Sequence, residues 1–300
     1  MSEKKSKAQV FGARLFSTIL LWAGVMAVFT SDNVWAFSAL MIFLGCAASW
    51  EYFSMTKNSD YPIQFRWGVI VSFGYLIMVG YLLASDGHDA LTTLADIDGA
   101  VIAFVAITTF TLQLRNPLVS QRSLNAVATT VIGFVYIAFL FSFMAKLMFV
   151  PVGIEALVDK AVPGSWLILW LIAVTKFTDM GAYITGSLIG KNKMIPHISP
   201  GKTWEGFFGA IFWAQLAGCG LYALLSDELS ILGSWTHVII LGFILALLAV
   251  VGDLAESIIK RCFEAKDSGK TLPGIGGALD LIDSLCFTAP ALFYYIAFVI

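Results

Sequence analysis

Long apolar segments follow one another along almost the whole chain, and they constrain its fold more than any other feature. Nine of them approach the 17 to 25 residues that an α-helix needs to cross the hydrocarbon core of a bilayer. Charged residues make up only 13 % of the chain, about half the share found in soluble domains. The sequence therefore predicts an all-α, polytopic integral membrane protein with about nine transmembrane helices. The predicted segments are 15–30, 34–53, 67–85, 99–114, 124–149, 165–189, 205–225, 236–260 and 284–300.

Polar residues are distributed unevenly over this series of segments. The first 150 residues are mostly plain apolar segments, whereas the last 130 hold nearly every unusual polar residue within or beside one. No linker or soluble domain interrupts the series. We therefore expect one membrane domain, with a scaffold of transmembrane helices in residues 1–150 and a catalytic half in residues 151–300. The fourth segment is short and the sixth and eighth carry ionisable residues, so eight or ten helices fit the sequence as well.

The positions of Lys and Arg predict the orientation in the membrane, because these residues are retained on the cytoplasmic side. They occupy the N-terminal tail and then every second connection. The intervening loops contain Lys160 as their only Lys or Arg, and they carry acidic residues instead, such as the aspartates between Asp86 and Asp98. The N-terminus and the polar site are therefore predicted to face the cytoplasm. The short N-terminal tail and the lack of extra domains favour a bacterial inner membrane. The cations on the predicted cytoplasmic side are Lys4, Lys5, Lys7, Arg14, Lys57, Arg66, Arg115, Arg122, Lys191, Lys193, Lys202, Lys260, Arg261, Lys266 and Lys270.

The composition argues against several other classes of function. The net charge is −2 and the basic residues are spread over loops, so the sequence predicts no basic surface that would bind a nucleic acid. The four cysteines lack CxxC spacing, so neither a zinc site nor a disulfide framework is indicated. Lys146, near the end of the fifth segment, is expected to extend its ammonium group to the membrane surface.

The densest polar cluster follows the eighth apolar segment. Asp253, Ser257 and Lys260 are spaced i, i+4 and i+7, so in a helix they lie on one face. The glycines of the loop that follows leave backbone amides free to approach a ligand closely. The charged residues and glycines from the end of this helix through the loop are Arg261, Lys266, Asp267, Lys270, Gly276 and Gly277.

The aspartates of this cluster indicate a metal. Asp280 and Asp283, at i and i+3, converge if the chain there is helical. Attraction to anionic lipid headgroups explains the cations but not the aspartates, which would repel such headgroups unless a divalent ion stands between them. Oxygen ligands without His or Cys favour a hard ion such as Mg²⁺. The cluster therefore predicts a metal-bound phosphate site.

A second polar cluster runs from the end of the sixth segment to the start of the seventh. Asp179 lies within the sixth segment, where an unpaired carboxylate costs about 2.5 kcal/mol or more, and is therefore a functional candidate. Lys176 is its obvious partner, and the alternative is that these two groups only neutralise each other in the bundle.

The loop after Asp179 is expected to bind phosphate without being a P-loop. Pro196 stands where a Walker A motif requires glycine. Ser199 opens a Ser-Pro-Gly turn, and Lys202 is a cation suited to phosphate. Thr203 is predicted to cap the next helix, with Glu205 in its first turn. The N-terminus of that helix would suit an anion.

Three spaced motifs between residues 179 and 283 resemble those of the phosphatidate cytidylyltransferases (CDP-diacylglycerol synthases). The first two are D-x-x-A-Y-x-x-G-x-x-x-G-K, from Asp179 to Lys191, and S-P-x-K-T-x-E-G, from Ser199 to Gly206. The first half of the chain resembles the family only in hydropathy. The third motif aligns without gaps through Ser257, Lys260, Arg261, Lys266, Asp267, Gly269, Pro273, Gly276, Gly277, Asp280 and Asp283.

The chain departs from the third motif at three positions. Ile275 replaces a histidine, Leu281 an arginine and Ala278 a larger apolar residue. These departures bear on lipid or nucleotide preference, or mark a subgroup that supplies positive charge elsewhere. They remove no carboxylate.

The resemblance implies transfer of a cytidylyl group from CTP to phosphatidate, giving CDP-diacylglycerol and pyrophosphate. It implies Mg²⁺ as cofactor, with a second metal ion left open, and a homodimer. By resemblance Asp253, Asp280 and Asp283 hold the metal. The residues implied in catalysis are Asp253, Lys260, Arg261, Lys266, Asp267, Asp280 and Asp283. Those implied in binding are Lys202, Ser257, Ser199, Thr203, Gly276, Gly277 and Asp179.

Four other functions stay open at the level of the sequence. Three are a CTP-dependent lipid kinase, a transferase acting on another lipid phosphate, and a non-catalytic relative. The fourth is an ion-coupled transporter in which Lys176, Asp179 and Asp253 would be the intramembrane coupling groups.

Overall fold

The computed structural model describes residues 23–58, 64–117, 120–150, 162–265, 267–269, 271–272 and 276–300. Within these ranges eight helices are long and apolar enough to cross a membrane. The prediction of an all-α polytopic membrane protein is therefore confirmed. Half of the first predicted segment, 15–30, lies outside the described residues, and its other half, residues 23–30, is helical. The count of nine stays a prediction.

The first half of the chain forms four of these eight membrane-crossing helices. The first begins after Asn33, whose side-chain oxygen accepts a hydrogen bond from the N–H of Ala36 at 3.1 Å, as expected for an N-cap. The fourth contains a π-helical stretch, Phe134–Phe139, between two α-helical parts. The helices are α1 (Val34–Met55), α2 (Phe65–Asp86), α3 (Asp89–Gln113), α4 (Ser120–Gly133) and α5 (Leu140–Lys146), the last two belonging to one span.

The second half forms the other four membrane-crossing helices and a small antiparallel hairpin. In the hairpin Lys193 lies opposite Thr203, and Ile195 opposite Ser199. Helix α9 is short and is followed almost at once by α10, so that the two form one span. The elements are α6 (Ser165–Ile189), β1 (Lys193–Ile195), β2 (Ser199–Thr203), α7 (Trp204–Leu224), α8 (Trp235–Cys262), α9 (Ala278–Ile282) and α10 (Leu285–Val299).

The third described span corrects two predictions. Helix α3 starts at Asp89, ten residues before the predicted segment, so Asp98 lies in a helix and not in a loop. Lys146 does not reach the membrane surface: it is 3 % exposed and its ammonium group lies 2.5 Å from Asp98. The Tyr75 hydroxyl also donates to Asp98 at 2.8 Å. This pairing is the physical reason, because each charge compensates the other inside the bundle.

Helices α6 and α7 pack closely through small residues. A Cβ added at Gly206 would lie 2.8 Å from the backbone oxygen of Ala182 and 3.3 Å from the Cα of Gly186. At the start of α7 the Thr203 hydroxyl accepts a hydrogen bond from the N–H of Gly206 at 3.1 Å. The predicted cap at Thr203 is therefore confirmed.

Both predicted polar clusters lie at one end of the helix bundle. Lys202, from the hairpin, contacts Asp253 of α8, and Arg261 donates to the Ile198 carbonyl at 3.4 Å. Helix α8 has 28 residues, or about 42 Å at 1.5 Å per residue, against about 30 Å of hydrocarbon. Its polar C-terminal end therefore extends towards one membrane surface. That this surface is the cytoplasmic one stays a prediction.

Candidate functional site

A polar cavity of about 500 Å³ lies between α6, the hairpin, the start of α7 and α8. Its wall combines charged, hydroxyl and glycine residues from α6 and the hairpin with Asp253 of α8, so residues that are far apart in the chain meet here. We call it the hairpin cavity. It is lined by Thr178, Asp179, Ala182, Tyr183, Gly186, Ser187, Lys193, Met194, Ser199, Gly201, Lys202, Thr203, Gly206, Phe207, Val250 and Asp253.

Two ion pairs contribute charged groups to this cavity. The ammonium group of Lys202 lies 2.9 Å from a carboxylate oxygen of Asp253, and the Lys202 and Asp253 side chains are 20 % and 40 % exposed. Lys176 lies 3.7 Å from Asp179, one turn along α6. Because both pairs remain partly accessible, Lys202 can exchange its carboxylate partner for an anionic ligand without leaving a charge buried.

Three carboxylates meet beside the hairpin cavity. Asp253, Glu256 and Asp283 each offer an oxygen, and these oxygens lie within 4.8 Å of one another. Glu256 and Asp283 are buried, at 3 % and 6 % exposure. One Glu256 oxygen, Oε1, is buried and accepts no hydrogen bond from an N–H or O–H group of the described residues, while the Glu256 carboxyl group lies within hydrogen-bonding reach of the Asp280 carboxyl group. We call Asp253, Glu256 and Asp283 the carboxylate triad.

The carboxylate triad fits a hard divalent cation. Ligands on opposite sides of Mg²⁺ or Ca²⁺ are about 4 to 5 Å apart, given metal–oxygen distances of 2.0 to 2.6 Å, and the 4.8 Å limit matches that range. All donors are carboxylate oxygens, which such ions prefer. An unpartnered buried carboxylate oxygen is costly unless a ligand compensates it. The Glu256 Oε1 atom is therefore well suited to be a ligand of such an ion.

Asp280 lies next to the triad but is engaged differently. Lys260 lies 2.6 Å from one Asp280 oxygen and 2.8 Å from Oε2 of Glu256. The other Asp280 oxygen accepts a hydrogen bond from the N–H of Gly277 at 3.2 Å. Lys260 thus bridges Asp280 and Glu256, and of these two carboxylates it is Glu256 whose oxygen lies within 4.8 Å of oxygens of Asp253 and Asp283.

The remaining predicted residues surround these groups or lie apart from them. Ser257 is half-buried on α8, and Asp267 is exposed. Arg261 is exposed and contacts the hairpin. Gly276 has a φ of 129°, which favours glycine. Lys266 lies outside the described residues.

Comparison with known proteins decides the family. The model of the cytidylyltransferase family matches residues 12–299. The chain belongs to the cytidylyltransferase family. A protein named phosphatidate cytidylyltransferase from Brucella suis biovar 1 is 31 % identical over 291 residues, which cover 96 % of this chain and 92 % of that protein.

Two further relatives show how far the likeness extends. A phosphatidate cytidylyltransferase of Staphylococcus saprophyticus is 38 % identical over 158 residues, 51 % of this cytidylyltransferase-family chain and 59 % of that protein. YnbB of Escherichia coli (strain K12), named as an uncharacterized protein, is 29 % identical over 293 residues, 96 % of this chain and 89 % of YnbB. Membership of the family and a nucleotidyltransferase activity were thus predicted correctly.

Sequence reasoning missed two carboxylates of this cytidylyltransferase-family site. Glu256 lies three residues after Asp253 and four before Lys260, so its spacing alone placed it on the same helical face. Glu51 lies within the second predicted segment, where an acidic residue is itself a functional signal. Its carboxylate contacts the loop before α9. Among the three departures from the motif, Leu281 and Ala278 are apolar neighbours of the site, and Ile275 lies outside the described residues.

Proposed function

We propose that this protein transfers the cytidylyl group of CTP to phosphatidate, giving CDP-diacylglycerol and pyrophosphate. The observation that carries the proposal is the juxtaposition of the carboxylate triad with Lys202 and the hairpin cavity at one end of a membrane helix bundle. A charged nucleotide and a lipid phosphate both need cations and a metal at the membrane surface. The names of the Brucella and Staphylococcus relatives support this choice of substrates.

For this reaction the protein needs mainly to position the two substrates and to neutralise the charge on their phosphate groups. A phosphate oxygen of the lipid forms a bond to the α-phosphorus of CTP, the bond from that phosphorus to the α–β bridging oxygen breaks, and pyrophosphate leaves. A phosphate nucleophile is already anionic near neutral pH, so no general base is required. Lys202 binds phosphate oxygens in the hairpin cavity, and Lys260, between Glu256 and Asp280, holds the carboxylates in place.

We assign Asp253, Glu256 and Asp283 as the residues that would hold Mg²⁺, with Glu256 in the place that the family resemblance gave to Asp280. When bound, the ion would neutralise charge on phosphoryl oxygens and polarise them. Asp280 then has a positioning role through Lys260 and the N–H of Gly277.

We further propose that the site faces the cytoplasm from a bacterial inner membrane. The distribution of Lys and Arg supports this orientation, and CTP is available on that side. By family resemblance we propose a homodimer. The scaffold role of residues 1–150 and the catalytic role of residues 151–300 are part of the same proposal.

Labelled CTP distinguishes the proposed reaction from its rivals. The purified protein is incubated with phosphatidate or diacylglycerol, Mg²⁺ and CTP labelled at either the α- or the γ-phosphate. Cytidylyl transfer places only the α-label in chloroform-soluble lipid and releases the γ-label as pyrophosphate. Lipid labelled from the γ-phosphate would instead identify a kinase and overturn the proposal.

A matched pair of variants shows whether the carboxylates of the site are responsible. Asp283→Asn removes one triad charge, whereas Asp227→Asn removes an exposed charge beyond the far end of α7. We expect incorporation of the α-label to be lost in the first variant and retained in the second.

A further inference from the structure

Glu51 is a buried carboxylate that neither the sequence motifs nor the proposed chemistry uses. It lies near the end of α1 and is 3 % exposed. It forms no ion pair with any cation in the described part of the chain. A buried carboxylate without a cation is costly unless hydrogen-bond donors surround it. The hydrogen-bond donors to the Glu51 carboxylate therefore indicate the role of this residue.

Among the described residues, the donors to Glu51 are Thr271, between α8 and α9, and Leu279, at the start of α9. Oε1 accepts hydrogen bonds from the backbone N–H of Thr271, at 3.1 Å, and from the Thr271 hydroxyl. Oε2 accepts from the backbone N–H of Leu279 at 2.9 Å. One carboxylate thus connects two points of the chain that are eight residues apart.

The backbone of this segment closes tightly around the carboxylate. A Cβ added at Gly269 would lie 2.2 Å from Glu51 Oε1, and one added at Gly277 would lie 2.8 Å from Oε2. At Gly277 the added Cβ would also lie 2.0 Å from the Ser268 hydroxyl oxygen. A side chain at either glycine would therefore displace the Glu51 carboxylate, and at Gly277 Ser268 as well.

Leu279 connects this contact to the carboxylate triad. The N–H of Asp283 donates to the Leu279 carbonyl at 2.9 Å, so the peptide units on both sides of Leu279 are fixed, one by Glu51 and the other by Asp283. A shift of α9 would move Asp283 away from Asp253 and Glu256. The same turn carries Asp280, the partner of Lys260.

We propose that Glu51 is a positioning residue: its carboxylate holds Thr271 and Leu279, and with them α9, so that Asp283 completes the carboxylate triad. The inference rests on the proposed function for its catalytic consequence, although the contact itself does not. It makes the N-terminal half a direct support of the site.

Hydrogen–deuterium exchange tests the contact without any turnover. Glu51→Gln places an amide NH₂, a donor, where a carboxylate oxygen accepted, so at least one of the Thr271 and Leu279 N–H groups loses its acceptor. We expect peptides covering 271–272 and 278–283 to exchange about tenfold faster, a change equivalent to one hydrogen bond. Ser49→Ala is the matched control, because Ser49 is buried on the same helix and its hydroxyl has no partner in the described structure. Unchanged exchange in Glu51→Gln would overturn the proposal.

Binding and kinetics separate positioning from general stability. In Glu51→Gln we expect Mn²⁺ affinity, measured by electron paramagnetic resonance without substrates, and kcat to fall about tenfold or more. The KM for CTP should change less than threefold, because Glu51 is not among the residues that line the hairpin cavity. A lower melting temperature with unchanged kcat per folded molecule would show a merely structural role and contradict the proposal.

A second variant covers the case in which Glu51→Gln does not fold. Thr271→Val removes only the hydroxyl donor, and Thr271→Ser retains it. We expect faster exchange at 271–272 in the first variant and wild-type exchange in the second. Equal exchange in both would overturn the contact. Failure of the wild-type protein to make CDP-lipid would refute the proposed function and leave these exchange results to decide the role of Glu51.

Discussion

At the scale of single residues, the structure shows which carboxylates lie together as possible metal ligands, and the sequence alone could not show this. Four acidic groups lie close together at the ends of α8 and α9: Asp253, Glu256, Asp280 and Asp283. Their spacing predicted which ones share a helical face, but not which one a lysine neutralises. That depends on where Lys260 points, and its partners come from two different helices.

Metal binding separates Glu256 from Asp280. We expect Glu256→Gln to weaken Mn²⁺ binding at least about tenfold, because it removes a ligand. Asp280→Asn should weaken Mn²⁺ binding less, because in this assignment Asp280 contacts Lys260 without being a metal ligand. Titration by electron paramagnetic resonance measures both. Loss of binding only in Asp280→Asn would restore the ligand set that the family resemblance implied.

Lys202 is expected to contribute binding energy to the nucleotide. Lys202→Met removes a charged contact of about 1.5 to 3 kcal/mol, so kcat/KM for CTP should fall roughly 10- to 150-fold. Lys191→Met is the control, because Lys191 is exposed in the same connection and does not line the hairpin cavity. Steady-state kinetics on both variants measures the difference, and equal losses would contradict a specific role for Lys202.

At the scale of elements, helix positions were predictable because hydropathy reports burial in lipid directly. The segment 165–189 matched α6 residue for residue. The start of α3 was missed because Asp89, Asp96 and Asp98 interrupt the apolar pattern. The charge of Asp98 is compensated by Lys146, a contact that the local sequence does not show. The β1–β2 hairpin was missed as well. Such short strands depend on their surroundings more than on local sequence.

The cap of α7 provides a test at this scale. Thr203→Ala removes the acceptor for the N–H of Gly206 and should destabilise the protein by about 1 kcal/mol. Thr203→Ser keeps the hydroxyl and should retain most of the stability. Thermal unfolding in detergent measures both variants. A Thr203→Ser variant as unstable as Thr203→Ala would show that packing of the methyl group, and not the cap, is responsible.

At the scale of the whole molecule, the first 150 residues hold buried charged groups as well as plain apolar helices. The distribution of unusual polar residues indicated a plain scaffold in residues 1–150. The structure places two buried charged contacts there, the Asp98–Lys146 pair and the contact of Glu51 with the site. Neither was predictable from local pattern, because the partners lie 48 and more than 200 residues apart.

The Asp98–Lys146 pair should stabilise the bundle without serving the chemistry. Lys146→Met leaves a buried, uncompensated Asp98 and should cost about 3 to 5 kcal/mol. The double variant Asp98→Leu/Lys146→Met removes both charges and should recover most of that loss. Unfolding in mixed micelles measures the free energies. Equal instability of the single and double variants would show that shape, and not charge compensation, governs this site.

The most direct test of the proposed site combines product, metal and carboxylate in one assay. Purified wild-type protein and Asp283→Asn receive phosphatidate, α-labelled CTP and a series of Mg²⁺ concentrations, and label in chloroform-soluble lipid is counted. We expect wild-type incorporation to depend on Mg²⁺ and to fall about 100-fold or more in Asp283→Asn. Incorporation at the wild-type rate in Asp283→Asn would contradict the assignment of the carboxylate triad as the metal site of a cytidylyltransferase.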